Sequence, residues 1–207
     1  MISFKEFITE GIRNKAFFFD LDDTLIHHDP HKIKIHVIDS NGNRVRSLTT
    51  QELNKHKLPL GHKYDFGEFK SAKVLRKSGT PIRSMINRLN KLRQRGNRTE
   101  ILTARSDLDD KLAVKHHLKR YGIDIDKTHL RRAGNVEGTS TGDRKRRVLS
   151  DLIKRDKLKE VHLYDDDEGN HKEFAKLKLE HPDVKLYSHL VKHNPYTRKT
   201  IVVTTRH

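Results

Sequence analysis

The chain contains no cysteine, which excludes a disulfide framework, thiolate catalysis and any zinc-thiolate site. It has no apolar run approaching the roughly 20 residues that span a bilayer, so no membrane partner is expected. The first segment, Met1–Gly11, has no signal-peptide core, because Lys5, Glu6 and Glu10 interrupt its apolar residues. Residues 1–15 read as an N-terminal amphipathic segment, and a soluble protein is expected. Apolar residues are sparse at 33 %, against 35 % charged. They are nonetheless gathered into short runs, the pattern of a folded domain with a densely charged exterior rather than of disorder. Acid is the scarce sign. The 28 Asp and Glu face 44 Lys and Arg, a formal net charge of +16, and such a field concentrates polyanions. DNA or RNA and phosphorylated small molecules are therefore the expected partners. The excess is patchy: Ile82 to Arg98 holds six basic residues and no acid, and Arg131 to Lys159 holds ten basic against four acidic.

What is present is an alternation of short apolar runs and amphipathic helices, which predicts an α/β fold with a central parallel sheet and helices on both faces. Strands are expected at Ala16–Phe19, Glu100–Leu102, Thr128–Arg131, Val161–Tyr164 and Val184–Val191. Thr80-Pro81 supplies an N-cap and first-turn proline for a helix carrying Ile82, Met85, Ile86, Leu89 and Leu92 at helical spacing. Ser106 and Asp109 form a capping-box pattern for the next helix. Asp143 is expected to cap a third, and a fourth spans roughly Glu168 to Leu179. One stretch breaks the rhythm. Lys32–Ile38 alternates apolar and polar, Asn41-Gly42 signals a turn and Arg44–Leu48 follows, together a β-hairpin, with a short helix around Thr49–Lys57. The expected organisation is thus a core of residues 16–26 and 80–191, a small hairpin-containing insertion at 27–79, and a basic tail or edge strand at 192–207.

The run Phe17-Phe18-Phe19-Asp20-Leu21-Asp22-Asp23-Thr24-Leu25 buries a strand and then crowds acids at its C-terminal end, where sites form in open α/β sheets. Clustered carboxylates repel unless a cation neutralises them. Asp20 and Asp22 fall on the same side of the departing chain, so one can attack phosphorus while the other moves a proton. An acidic cap or loop produces the same letters. A second strand, Val161–Tyr164, also ends in acids, Asp165-Asp166-Asp167, with Asn170 beyond. Two such strand ends suggest a hard-cation site of the kind magnesium occupies with carboxylates, waters and phosphate. Thr103, at the end of Ile101-Leu102-Thr103-Ala104-Arg105, can hydrogen-bond a phosphoryl oxygen, and Lys145 can bring positive charge to it. The histidines, His27-His28, His31 and His116-His117 among them, form no metal pattern and read as solvated. Tyr64, Phe66 and Phe69 of the insertion read as packing residues.

These elements in this order resemble the haloacid dehalogenase superfamily: DxDxT after a strand, a strand-end hydroxyl, a lysine, then a strand ending in two aspartates. The resemblance covers residues 16–191 apart from the insertion. It implies a Rossmann-like fold in which the insertion is a cap. It implies a magnesium-dependent phosphomonoester hydrolase with Asp20 as nucleophile, forming an aspartyl-phosphate, and Asp22 as general acid and base. Thr103 and Lys145 would bind the phosphoryl group. Mg2+ would be held by Asp20, Asp165, Asp166 and the main-chain carbonyl of Asp22. The second aspartate favours phosphoryl transfer over dehalogenation. Thr103-Ala104-Arg105 followed by Gly142-Asp143-Arg144-Lys145 further resembles the 3′-phosphatase domain of phage polynucleotide kinase-phosphatases, in which the position of Arg105 serves the substrate site. There is no Gly-rich P-loop for a kinase half. The FKEF start, the hairpin insertion and the TPI…LTAR pairing resemble phosphatase-like proteins of tailed bacteriophages, implying the cytoplasm of an infected host cell, or a virion with other virion proteins as partners. The expectation is hydrolysis at nucleic-acid ends or of nucleotides. The alternative is a virion-associated structural or nucleic-acid-binding protein with this fold and little or no turnover.

Overall fold

Alternation along Lys15–Phe19 (β1) sends Phe17 and Phe19 to one face of a sheet and Ala16 and Phe18 to the other. Both faces must therefore be covered. The computed structural model describes residues 14–207 except 54 and 108, so the expected amphipathic segment Met1–Gly11 lies outside the described residues. After β1 the chain forms a short strand at Ile26–His28 (β2). The hairpin of Ile35–Ile38 (β3) and Arg44–Leu48 (β4) follows, with a single helical turn at Thr50–Leu53 (α1). Lys63–Asp65 (β5) then pairs with β3, making a three-stranded sheet in the order β4-β3-β5. Two helices, Gly67–Lys70 (α2) and Ala72–Ser78 (α3), lead to Gly79–Pro81 (β6), which pairs antiparallel with β2. The chain thus leaves and re-enters the main body through one two-stranded ribbon.

The remainder alternates as the periodicity predicts: Arg83–Gln94 (α4), Arg98–Thr103 (β7), Lys111–Arg120 (α5), His129–Arg132 (β8), Thr141–Asp156 (α6), Glu160–Asp165 (β9), Glu168–Ala175 (α7), Leu177–Glu180 (α8), Lys185–His193 (β10) and Thr200–Arg206 (β11). The main sheet has the order β11-β10-β9-β1-β7-β8. Five strands are parallel, and β11 runs antiparallel at one edge. On one face Phe17 and Phe19 meet Met85, Ile86 and Leu89 of α4 and Val114 and Leu118 of α5. On the other, Phe18 meets Leu149, Leu152 and Ile153 of α6 and Phe174 of α7. Each fully buried phenylalanine contributes about 1.5–3 kcal/mol through apolar area removed from water. This is a mixed α/β architecture with a mostly parallel sheet between helices. Among the described residues, no helix is long and apolar enough to cross a membrane.

Four local expectations are corrected. Thr80 and Pro81 belong to β6 rather than capping α4, which starts at Arg83 with Ile82 at the cap and no side-chain cap. A proline fits there because a two-stranded ribbon leaves it an edge position that needs no N–H. The helix after β7 begins five residues beyond Ser106. Its cap is Asp110, which accepts from the Ala113 amide at 2.8 Å, while Asp109 accepts from the Ala72 amide at 2.7 Å. The α6 helix is capped by Ser140, which accepts from the Asp143 amide at 3.1 Å; Asp143 sits inside the first turn and accepts from the Thr139 amide. The expected helix from Glu168 to Leu179 is interrupted at Lys176 into α7 and α8.

Candidate active site

From β1 the chain steps one way to β7 and β8, then crosses back to place β9 on the other side of β1. This reversal opens a crevice at the C-terminal ends of β1 and β9. Both acidic strand ends converge there. The Asp20 amide donates to the Tyr164 carbonyl at 2.8 Å, which locks the two ends side by side. Asp20 is 6 % exposed and Asp165 is 0 % exposed. One carboxylate oxygen from each of Asp20, Asp165 and Asp166 lies within 4.8 Å of the others, a set that can hold a metal ion.

Lys145, 2 % exposed, projects between the two strand ends from the first turns of α6. Its Nζ lies 2.8 Å from Asp165 Oδ2 and 2.9 Å from Asp20 Oδ1. The first contact is a hydrogen bond; the second is an ion pair outside hydrogen-bond geometry, so Asp20 Oδ1 is buried and has no hydrogen-bond donor among the described residues. Asp165 is braced further, accepting on Oδ1 from Asn170 Nδ2 at 2.9 Å and from the Asp167 amide at 3.0 Å. Asp167 caps α7 by accepting from the Asn170 amide. Asp166 accepts on Oδ1 from Thr24 Oγ1 at 3.3 Å.

Three carboxylates around one lysine leave a deficit of positive charge at a largely buried site. Burial foremost, aided by the charges of Asp165 and Asp22 and opposed by Lys145, pushes the Asp20 carboxyl up to about 8. Burial and the neighbouring Asp165 and Asp20 raise Asp166 well above the carboxylate range. Burial works against the Lys145 ammonium, but Asp165 and Asp20 outweigh it and hold the lysine charged beyond its ordinary range. Such a cluster gains from any added cation.

Asp22 lies in a different environment. Arg105, buried at the end of the β7 turn, donates from Nη2 to Asp22 Oδ1 at 2.7 Å and from Nε to Oδ2 at 3.0 Å. His28 Nε2 lies 2.7 Å from Asp22 Oδ1, and His28 Nδ1 is hydrogen-bonded to Ser78 Oγ at 3.0 Å. Burial alone would raise the Asp22 carboxyl, yet Arg105 and His28 hold it far below the usual range. The structure thus assigns the Arg105 guanidinium to Asp22. Its remaining Nη1 donates to the Phe69 carbonyl of α2, and the group stacks 5.1 Å from the Phe69 ring centroid. Thr103 is fully buried beside Asp20's strand and accepts on Oγ1 from the Arg105 amide at 3.1 Å, a turn-forming bond. This turn packs closely on Gly134, where a Cβ would fall 2.4 Å from the Ala104 carbonyl oxygen.

Asp20, Asp165, Asp166 and Lys145 are therefore brought together, while Asp22 and Arg105 form a neighbouring pair. His28 is the residue that sequence reasoning missed. Strand alternation carried a signal, because Ile26 and His28 share the buried side of β2 while His27 is half-buried. Asp23, in left-handed conformation at φ 53°, makes the turn that starts this strand, and its carboxylate accepts from the His28 amide at 3.2 Å. No family model matches the chain, and no curated protein matches it.

Proposed function

We propose that the chain is a magnesium-dependent phosphomonoester hydrolase of the haloacid dehalogenase type, acting through an aspartyl-phosphate at Asp20 on nucleic-acid ends or nucleotides. The observation that carries this reading is the meeting of Asp20, Asp165 and Asp166 around the single buried ammonium of Lys145. The residues fit a hard cation. They offer only oxygen donors, one of them the buried Asp20 Oδ1, which among the described residues has no hydrogen-bond donor. Asp20, Asp165, Asp166 and the main-chain carbonyl of Asp22 would hold it. Bound there, magnesium supplies positive charge that relieves repulsion between a carboxylate nucleophile and an anionic phosphate.

The rest falls to the chain's own groups. An Asp20 carboxylate oxygen forms a bond to phosphorus while the phosphorus–oxygen bond of the ester breaks. Lys145 offsets charge on the transferring group, and the Thr103 hydroxyl retains a proton to donate towards a phosphoryl oxygen. The leaving oxygen gains a proton from Asp22, which later accepts one from the water that cleaves the acyl-phosphate. For Asp22 to carry that proton its contacts with Arg105 and His28 have to open. Arg105 also binds the Phe69 carbonyl, so the insertion at residues 27–79, acting as a cap, is linked to the state of Asp22. The positive surface steers a polyanionic substrate towards the site.

A second reading draws on the same closed contact: with Asp22 bound by Arg105 and His28, the protein would be a virion-associated nucleic-acid-binding or structural component with little or no turnover. Phosphate release separates the two. The substrates are a 3′-phosphorylated oligonucleotide, nucleoside monophosphates and an aryl phosphate, each with magnesium and with chelator. Release that needs magnesium and disappears in Asp20→Asn supports the enzyme; no release from any of them sinks it.

A further inference from the structure

Among the described residues, cavities open along the β8 edge of the main sheet, one on each face of β8, and neither includes the acid cluster. The larger, about 400 Å3, lies at the foot of the sheet and is lined by Arg93, Arg98, Lys127, Arg131 and Arg155. The smaller, about 210 Å3, has Lys111, Lys115 and Arg132 around a floor that includes the apolar Val114, Leu118 and Leu130. His129 lines both. Alternation along the strand explains this, since Arg131 and Arg132 point to opposite faces.

The acids that face these cations are already engaged. In the larger cavity Glu100 accepts from Arg98 Nε at 2.7 Å and Arg131 Nε at 2.6 Å, and Asp156 accepts from Arg155 Nη2 at 2.7 Å and pairs with Arg98 Nη1 at 2.8 Å. Asp124 flanks Arg93 and Lys127, Asp107 flanks Lys111 and Arg132, and Asp126 is shared by Lys115 and Lys119. Eight lining Lys and Arg (five and three) against five carboxylates (two lining, three flanking) leave three positive charges over. In the larger cavity the cations with most reach are Lys127, 77 % exposed, and Arg155, 60 % exposed. Thr99 Oγ1, buried and without a hydrogen-bond partner, belongs to the larger cavity.

From His129 to Arg132 the strand advances about 10 Å. Its upper end is in register with Thr103, the strand end that faces the acid cluster, through the Thr103–Arg132 pairing. The basic strip therefore leads from the foot of the sheet to the mouth of the crevice. Apart from His129 no ring lines it among the described residues, so there is no row of aromatic side chains on which successive bases can stack. Guanidinium forks and mobile ammonium groups set along a narrow edge suit regularly spaced phosphodiester oxygens.

We propose that the β8 edge binds the sugar–phosphate backbone of single-stranded nucleic acid without base preference, and delivers its phosphorylated end to the crevice. Delivery rests on the phosphatase reading; binding does not. The test uses the full chain carrying Asp20→Asn, a fluorescein-labelled oligothymidylate and anisotropy across a salt series. Lys127→Glu with Arg155→Glu weakens binding and makes the logarithmic salt dependence shallower by at least about 1.4, two contacts at about 0.7 each. Lys176→Glu with Lys192→Glu, exposed on the far side of the sheet, leaves that slope unchanged. In the chain with Asp20 intact, the β8 pair raises KM for the 3′-phosphorylated oligonucleotide and leaves aryl phosphate hydrolysis unaltered. The proposal is overturned if the β8 pair changes neither affinity nor slope, or if polyglutamate of equal charge competes as well as unlabelled oligothymidylate. Loss of binding in the β8 pair together with no phosphate release by the intact chain leaves the binding edge standing and removes the phosphatase.

Discussion

His28 Nε2 lies 2.7 Å from Asp22 Oδ1, and the same ring reaches Ser78 Oγ at 3.0 Å through Nδ1. A buried histidine at the start of the insertion thus joins a residue of the DxDxT run to the last turn of α3. A hydrogen bond to a charged group contributes roughly 1.5–3 kcal/mol. His28→Leu is therefore expected to lower stability by about 2 kcal/mol in urea unfolding, with His27→Leu, half-buried, costing less. Equal stability of His28→Leu and the unaltered chain would show that this contact holds nothing in place.

Lys145 stands between two carboxylates, and removing one member of a buried ionic group leaves uncompensated charge at a cost of about 3–5 kcal/mol. Lys145→Met is expected to lose stability in that range. Adding Asp20→Asn to it should restore part of the loss, because the amide has no ionisation for the Asp165 carboxylate to oppose once the ammonium is gone. The coupling is read from a double-mutant cycle by denaturant unfolding. Strict additivity of the two substitutions would mean that Lys145 and Asp20 do not interact, against the 2.9 Å separation of their charged atoms.

The acid pairing was legible in the sequence because its cause is local: two apolar strands each ran into aspartates, and a parallel sheet gathers such ends on one edge. The two-faced sheet was legible from the alternation of short apolar runs with amphipathic helices. The helix starts were not. Thr80-Pro81 has the chemistry of a cap, but its pairing with β2 is a long-range fact, and Ser106 lost its role to Asp110 because Asp109 is held by the Ala72 amide. The Arg105–Asp22 contact spans 83 positions of sequence, and no periodicity marks it. His28 lay between: its burial follows from alternation, but its partner depends on where the insertion folds back.

The paired rings of β9 and β10 predict the acid side of the stability curve. His162 Nδ1 and His189 Nε2 lie 2.9 Å apart, and His189 Nδ1 meets Thr204 Oγ1 at 2.8 Å. Burial lowers the His162 imidazole despite Glu160, and burial, followed by the charges of His162, Arg88 and His171, lowers His189 to about 3. Folded pKa values below the unfolded 6.5 mean that the unfolded chain binds more protons between those limits. The contribution is complete above pH 6.5 and is lost as pH falls towards 3. His189→Leu should flatten the acid limb by at most about 1.4 kcal/mol per pH unit, and by less to the extent that solvent reaches the ring. Melting curves from pH 7 to 4 measure this, and an unchanged acid limb would place the acid sensitivity elsewhere.

Magnesium gives the last expectation, and it can be read without turnover. An ion that binds the folded chain and not the unfolded one adds about 2.7 kcal/mol at a free concentration one hundred times its Kd. Melting in magnesium should therefore lie above melting in chelator, and the difference should saturate. Asp166 is the most informative ligand to change, because its only side-chain hydrogen bond described here is the 3.3 Å contact from Thr24. Asp166→Asn replaces an acid whose ionisation is opposed by burial and by its neighbours, so it should raise stability in chelator while shrinking the magnesium increment. These two effects have opposite signs, which separates loss of a cation ligand from general damage to the fold. A melting temperature that does not respond to magnesium in the unaltered chain would leave Asp20, Asp165 and Asp166 as a mutually repelling cluster held by Lys145 and by hydrogen bonds from Asn170, the Asp167 amide and Thr24, and the metal-assisted chemistry proposed for Asp20 would have to be abandoned.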